Sequence, residues 1–319
     1  MNPLKIFSGS ANRPLAAAIA RYLGRRLGKA ALTRFPDGES FVKITEDIRG
    51  RDIFIIQPTC APQNDNLLEL LLFIDAAHRA SADHITAVIP YYGYARQDRK
   101  DEGRVPISAK LVANMLEAAG ADRVLTVHLH AHQVQGFFDI PVDHLLPDRV
   151  FARHFRKMRL RPLTVVSPDV GNVKTARAYA ELLRGGLAII DKERVSGTDV
   201  RAGTLIGNVK GRNVLLVDDM ITSAGTITKA ATLLKAEGAR DIHVAATHPV
   251  LCGSALERLR ASPIKSVIVT DTIPLSDEAK KLGILHQLTL APLLGEAIRR
   301  IHLHQSVSAL FLRKPKRHA

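Results

Sequence analysis

Along the whole chain, short apolar runs alternate with stretches whose apolar residues recur every three or four positions. The runs at 53–57, 87–90, 124–127, 163–167, 187–190, 214–217, 243–247 and 266–270 predict buried strands, being too short and too continuous for amphipathic helices. Helical patterns fall between them at 14–24, 67–79, 107–119, 172–183, 226–237 and 253–260. Continuously apolar strands are what a sheet covered on both faces requires. Strands alternating with helices therefore predict an α/β fold, with mainly parallel sheets flanked by helices. A chain of 319 residues has room for two such domains of about 150 residues, each with its own core.

The pattern also repeats. Residues 106–121 fall on 224–239 at a shift of 118, after which 124–127 lies on 242–245 and His130 on His248. Upstream, 87–90 matches 215–218 only at a shift of 128, which leaves the first-half loop ten residues longer. Two amphipathic helices can resemble each other by period alone. The shared Gly-Ala followed by an apolar strand favours a duplicated unit carrying different loops at one place.

In the second half that place reads Leu215-Leu216-Val217-Asp218-Asp219-Met220-Ile221-Thr222-Ser223-Ala224-Gly225-Thr226. A buried strand delivers two carboxylates to the ligand-binding edge of a parallel sheet. The small hydroxyl residues after it can turn backbone N–H groups toward a phosphate on the following helix N-terminus. Carboxylates repel that phosphate and suit sugar hydroxyls or a cation, so the pair outlines a ribose phosphate. The same string also reads as a tight strand–helix turn closed by an Asx-type cap. In the first half the corresponding loop is Tyr91–Arg104, which brings guanidinium groups, an amide and aromatics suited to a nucleotide, or simply a solvated charged loop.

Charge narrows the classes. The chain has 45 Lys and Arg against 31 Asp and Glu, a formal +14. The positives are dispersed over 21–29, 149–161 and 313–317 and form no base-stacking platform, there is no Trp, and aromatics make up 5%. That pattern favours an anionic small molecule over nucleic acid. No apolar run reaches the ~18 residues of a membrane span, so no membrane partner is expected. The N-terminus lacks the basic and apolar regions of a signal peptide, and two cysteines make no disulfide framework. Both fit a reducing cytoplasm.

Other polar residues cluster at strand ends. His128-Leu129-His130 follows one strand and Ser167-Pro168-Asp169-Val170-Gly171-Asn172 another. A histidine and an aspartate so placed can share a Mg²⁺ bound to phosphates, since this ion keeps few protein ligands. Asp191-Lys192-Glu193-Arg194 opens a polar stretch, which reads either as an exposed loop or as one bringing cations over a phosphate.

Together these residues resemble the class I ribose-phosphate pyrophosphokinases, the synthetases of phosphoribosyl pyrophosphate. The resemblance runs from Lys5 to Phe311 and is most specific at Tyr94–Lys100 and Gln133–Asp143. It implies two tandem phosphoribosyltransferase-like domains, 1–146 with ATP loops and 147–319 with the ribose 5-phosphate loop and a flexible catalytic loop. It implies that Phe35, Asp37 and Glu39 contact adenine from a neighbouring subunit, and that Arg96, Gln97 and Asp101 bind ATP. His130 and Asp169 would hold Mg²⁺. Lys192 would be catalytic, with Arg194 its partner. Arg194, Asp218 and Asp219 would meet the ribose, and Thr222, Ser223, Ala224, Gly225 and Thr226 its phosphate. The implied reaction passes the pyrophosphoryl group of ATP to ribose 5-phosphate, in a cytoplasmic hexamer of identical chains.

Three positions depart from the family pattern. His128 stands where aspartate is usual, and Thr222 where the phosphoribose loop begins with aspartate. Asn172 replaces a second glycine, which predicts a costly left-handed backbone there. The alternative to an enzyme is a non-catalytic regulatory subunit, against which Lys192, Arg194, His130, Asp169 and Asp218 all speak. A base-using phosphoribosyltransferase, or an RNA-binding relative of one, would not need the long Tyr91–Arg104 loop.

Overall fold

The computed structural model describes residues 3–191 and 204–310. The chain divides into two compact units, Met1–Leu146 with everything from Leu290 onward, and Pro147–Thr289. The first contains β1 (Leu4–Ser8), α1 (Arg13–Tyr22), β2 (Ala30–Arg34), β3 (Ser40–Ile44), β4 (Asp52–Ile56), α2 (Gln63–Arg79), β5 (His84–Ile89), α3 (Ser108–Ala118), β6 (Arg123–Val127) and β7 (Val142–Leu145). Its five-stranded sheet has the order β1-β4-β5-β6-β7 and is parallel throughout. Every residue of β4 is buried. Strand alternation sends Phe7, Ile53, Ile55, Ile85, Ala87 and Ile89 to the face that packs with Leu70, Phe73, Ile74 and Leu116 of α2 and α3. Ile6, Phe54, Ile56 and Val88, of opposite parity, are just as buried.

The hairpin of β2 and β3 lies outside this sheet and pairs antiparallel. The sequence pattern gave no warning of it. Its alternating side chains are only half-buried, so no continuous apolar run marks it.

The second unit contains α4 (Asp148–Met158), β8 (Leu163–Ser167), α5 (Val173–Leu183), β9 (Gly186–Asp191), β10 (Thr204–Ile206), β11 (Asn213–Ile221), α6 (Gly225–Ala236), β12 (Ile242–Pro249), α7 (Ala255–Arg260), β13 (Ile264–Thr270), α8 (Asp277–Lys280) and β14 (Leu285–Leu288). The sheet order is β10-β9-β8-β11-β12-β13-β14, parallel except where β10 meets β9. The basic stretch 149–161 is largely α4, whose Phe151, Ala152 and Phe155 are buried while its cations face water.

All eight predicted strands and all six predicted helices are present. The repeat appears as β5–α3–β6 and β11–α6–β12. The chain closes with α9 (Ala291–His302), which packs against α1; His302 Nδ1 lies 2.6 Å from Asp52 Oδ2. The apolar stripe Leu294, Ala297, Ile298 and Ile301 is buried there. The last stretch therefore groups with the first unit, whereas the sequence reading ran the second domain on to residue 319.

Candidate active site

The two sheets differ in how the chain enters them. In the first unit the strands are laid down in one direction. In the second the chain goes from β8 outward to β9 and then returns to place β11 on the other side of β8. Such a reversal opens a crevice at the carboxyl ends of the two strands, the usual place for a ligand.

Asp169 and Asp218 occupy that crevice. Ser167 Oγ donates to Asp169 O at 2.6 Å, and Asn172 N–H donates to Asp169 Oδ1 at 3.1 Å, which fixes the turn after β8. Asn172 Nδ2 donates across to Val217 O at 3.0 Å and Asp218 Oδ1 at 3.4 Å. The amide thereby ties the two strand ends together. Its φ of −97° lies outside the left-handed region, so the expected backbone cost is absent. The Asp218 carboxyl is held well above its ordinary range, first by burial, then by the charge of Asp219 and, less, of Asp169. Asp219 Oδ1 accepts the N–H of Met220 at 2.9 Å. A cation or a set of hydroxyl donors would relieve this crowding of carboxylates.

Beside them, β11 passes into α6 through Thr222–Ala224. Ala224 is the cap residue, with φ 60° and ψ 0°, and no side chain caps the helix. The Asx-type cap that the sequence allowed is therefore not formed. The N–H groups of the first turn of a helix have no partner within it, and they present a site for an anion. Left-handed backbone at a buried alanine costs about 1–3 kcal/mol, which the surroundings must impose. They do so through the segment after β12: Leu251 N–H donates to Ile221 O at 2.9 Å and Cys252 N–H to Thr222 O at 3.1 Å. Thr222 is half-buried, while Ser223 and Thr226 are exposed.

In the first unit the connection from β5 to α3 runs from Ile89 to Ser108. Its base is built in: Gly93 N–H donates to Thr59 Oγ1 at 2.6 Å, and a Cβ on Gly93 would lie 2.4 Å from Thr59 O. Tyr91 and Tyr92 are buried, and the Tyr92 hydroxyl donates to Ala109 O at 3.1 Å. They support the loop and do not offer a face to a base, contrary to the sequence reading. Gln97 is exposed, and its side-chain oxygen accepts from Ser108 Oγ. Asp101 is exposed and pairs with Arg99 at 2.7 Å. Arg96 is exposed, with no bonding partner among the described residues, which leaves its guanidinium for a ligand.

The hairpin carries Phe35, Asp37 and Glu39 at its turn. Phe35 and Phe41 are 49% and 40% exposed, their rings edge to face at 5.4 Å. Asp37 Oδ1 accepts the Glu39 N–H at 3.2 Å, and the Asp37 and Glu39 carboxylates face solvent. Successive residues at the start of α2 hold the two loops: Asp65 pairs with Arg34 at 3.1 Å, and Asn64 Oδ1 accepts from the Tyr94 hydroxyl. Hairpin turn and Arg96 loop are thus anchored on one helix turn.

His130 is exposed just beyond β6, whereas His128 is buried with φ 44°. His130 belongs to the first unit and Asp169 to the second. Among the described residues, no three His, Cys, Asp or Glu side chains form a ready-made metal cage. Lys192 and Arg194 lie outside the described residues. Sequence reasoning missed Asn172 as a bridge, because nothing in its neighbours signals a contact 45 residues away.

The chain is similar over its whole length to proteins of one kind. Residues 4–120 match the family described as the N-terminal domain of ribose phosphate pyrophosphokinase, and residues 199–312 match the phosphoribosyl synthetase-associated domain. A ribose-phosphate pyrophosphokinase of Rhodopirellula baltica is 57% identical over 98% of this chain and 99% of that one. Another, of Neisseria meningitidis, is 52% identical over 97% of this chain and 94% of its own. A crystal structure of phosphoribosylpyrophosphate synthetase from Mycobacterium smegmatis superposes with a TM-score of 0.89 at 42% identity, covering 95% of this chain and 100% of that one. The chain belongs to the ribose-phosphate pyrophosphokinase family.

Proposed function

We propose that the protein transfers the pyrophosphoryl group of Mg-ATP to the anomeric hydroxyl of ribose 5-phosphate, giving phosphoribosyl pyrophosphate and AMP for nucleotide biosynthesis. The observation that carries this reading is the uncapped N-terminus of α6 lying directly after the Asp218–Asp219 carboxylates. The N–H groups and the hydroxyls of Thr222, Ser223 and Thr226 suit the 5-phosphate, with Ala224 and Gly225 keeping the turn close. Asp218 and Asp219 accept from the ribose hydroxyls. The anomeric oxygen bonds to the β-phosphorus, the bond to the α-phosphate bridge breaks, the hydroxyl proton is released and AMP leaves.

Such a transfer needs placement and charge neutralisation more than covalent help from the protein. Arg96 and Gln97 hold the ATP phosphates, Asp101 lies in the same loop, and Phe35, Asp37 and Glu39 meet the adenine. The crowded carboxylates of the crevice suit a divalent cation; by resemblance, Asp169 and His130 would be its protein ligands. When bound, magnesium neutralises the triphosphate charge. Lys192 and Arg194 serve as the catalytic cations, by resemblance. The same reading gives a cytoplasmic homohexamer.

Phosphorus NMR of ATP, magnesium and ribose 5-phosphate with the protein tests this. AMP and a sugar pyrophosphate should accumulate together, and neither should form without ribose 5-phosphate. Formation of ADP or free pyrophosphate overturns the reading, and no turnover at all favours the regulatory subunit.

A further inference from the structure

We infer that Arg258 is a specificity-determining cation of the phosphate turn, a role that no motif in the sequence announces. Its Nη1 donates to Ser223 O at 3.1 Å, and the same nitrogen lies 3.2 Å from where a Cβ of Gly225 would stand. The guanidinium is therefore held against the first residue of α6, where the helix N–H groups are unpartnered. It is exposed, and it comes from the last turn of α7. The segment between β12 and α7 already braces Ile221 and Thr222. One hydrogen bond to Ser223 O leaves several guanidinium donors for phosphate oxygens. The turn's own side chains, Thr222, Ser223 and Thr226, are neutral. Arg258 supplies the positive charge that the turn lacks, and with it a preference for a phosphorylated over an unphosphorylated sugar.

This rests on the turn being the ribose 5-phosphate cradle. Calorimetric binding of ribose 5-phosphate, inorganic phosphate and ribose to the wild type and to Arg258→Gln, Arg258→Lys and Arg258→Ala separates the two claims. Glutamine keeps an amide donor on a shorter side chain and loses the charge, and the melting temperature reports any loss of the bond to Ser223 O. Arg258→Gln should bind ribose 5-phosphate on the order of tenfold more weakly, since a charged hydrogen bond is lost, with the KM for ATP and the melting temperature unchanged. Arg258→Lys should recover part of the affinity, and ribose should bind no differently. Wild-type affinity for ribose 5-phosphate in Arg258→Gln overturns the inference and leaves the cradle standing. So does a parallel rise in both KM values with a lower melting temperature, which marks Arg258 as a brace alone. A wild-type protein that binds neither ribose 5-phosphate nor phosphate overturns the cradle itself.

Discussion

Asp218 is a carboxyl that its surroundings push toward the protonated form. Burial and the neighbouring Asp219 and Asp169 charges raise its carboxyl well above 3.8. The folded protein therefore binds more protons here than the unfolded chain once pH exceeds that value. By linkage, this group's contribution to stability falls as pH rises from about 4 through its folded pKa. Asp218→Asn should thus melt higher than the wild type at pH 8, with the gap closing toward pH 4, while ribose 5-phosphate binding weakens. Scanning calorimetry in the presence of EDTA measures this, and an Asn variant less stable at pH 8 would count against the crowding described. At this scale the sequence offered candidate residues but not their conformations. Asn172 looked like a strained left-handed position and has φ −97°, whereas positive φ falls at residues that no motif marked for it, among them His128 at 44° and Ala224 at 60°. Backbone angles follow from tertiary contacts that a motif does not contain.

The elements that could be read from the sequence are the ones buried on both faces. β4 and β11 each contain an unbroken apolar run of four residues, β5 and β8 a run broken only by a buried threonine, and α2, α3 and α6 a clear stripe. The β2–β3 hairpin and α4 escaped because half-buried side chains give no run, and because five Arg, Lys and His residues over 149–157 read as surface charge. Yet the hairpin carries the residues assigned to adenine. Its Phe35 ring is 49% exposed, so Phe35→Ala should change stability by under about 1 kcal/mol. Loss of a base-stacking ring is worth about 1–3 kcal/mol, so the KM for ATP should rise on the order of tenfold while that for ribose 5-phosphate stays put. Steady-state kinetics with each substrate varied in turn decides this. An unchanged KM for ATP removes Phe35 from the nucleotide site.

Over the whole molecule, one strand–helix–strand unit is used twice with different outcomes. In the second unit a reversed strand order and a short turn make a crevice beside an uncapped helix. In the first, strands laid in one direction carry a long, well-braced loop in which Arg96 has no bonding partner among the described residues. The sequence repeat revealed this duplication, but not the strand orders, since register and crossover direction leave no local signature. On the proposed function the two units divide the substrates, sugar phosphate in one and nucleotide in the other. Titration calorimetry of Asp219→Ala and Arg96→Ala with each substrate separately tests it most directly. A crossed result is expected: Asp219→Ala loses affinity for ribose 5-phosphate and keeps it for ATP, and Arg96→Ala does the reverse. Equal weakening of both ligands in either variant would contradict it.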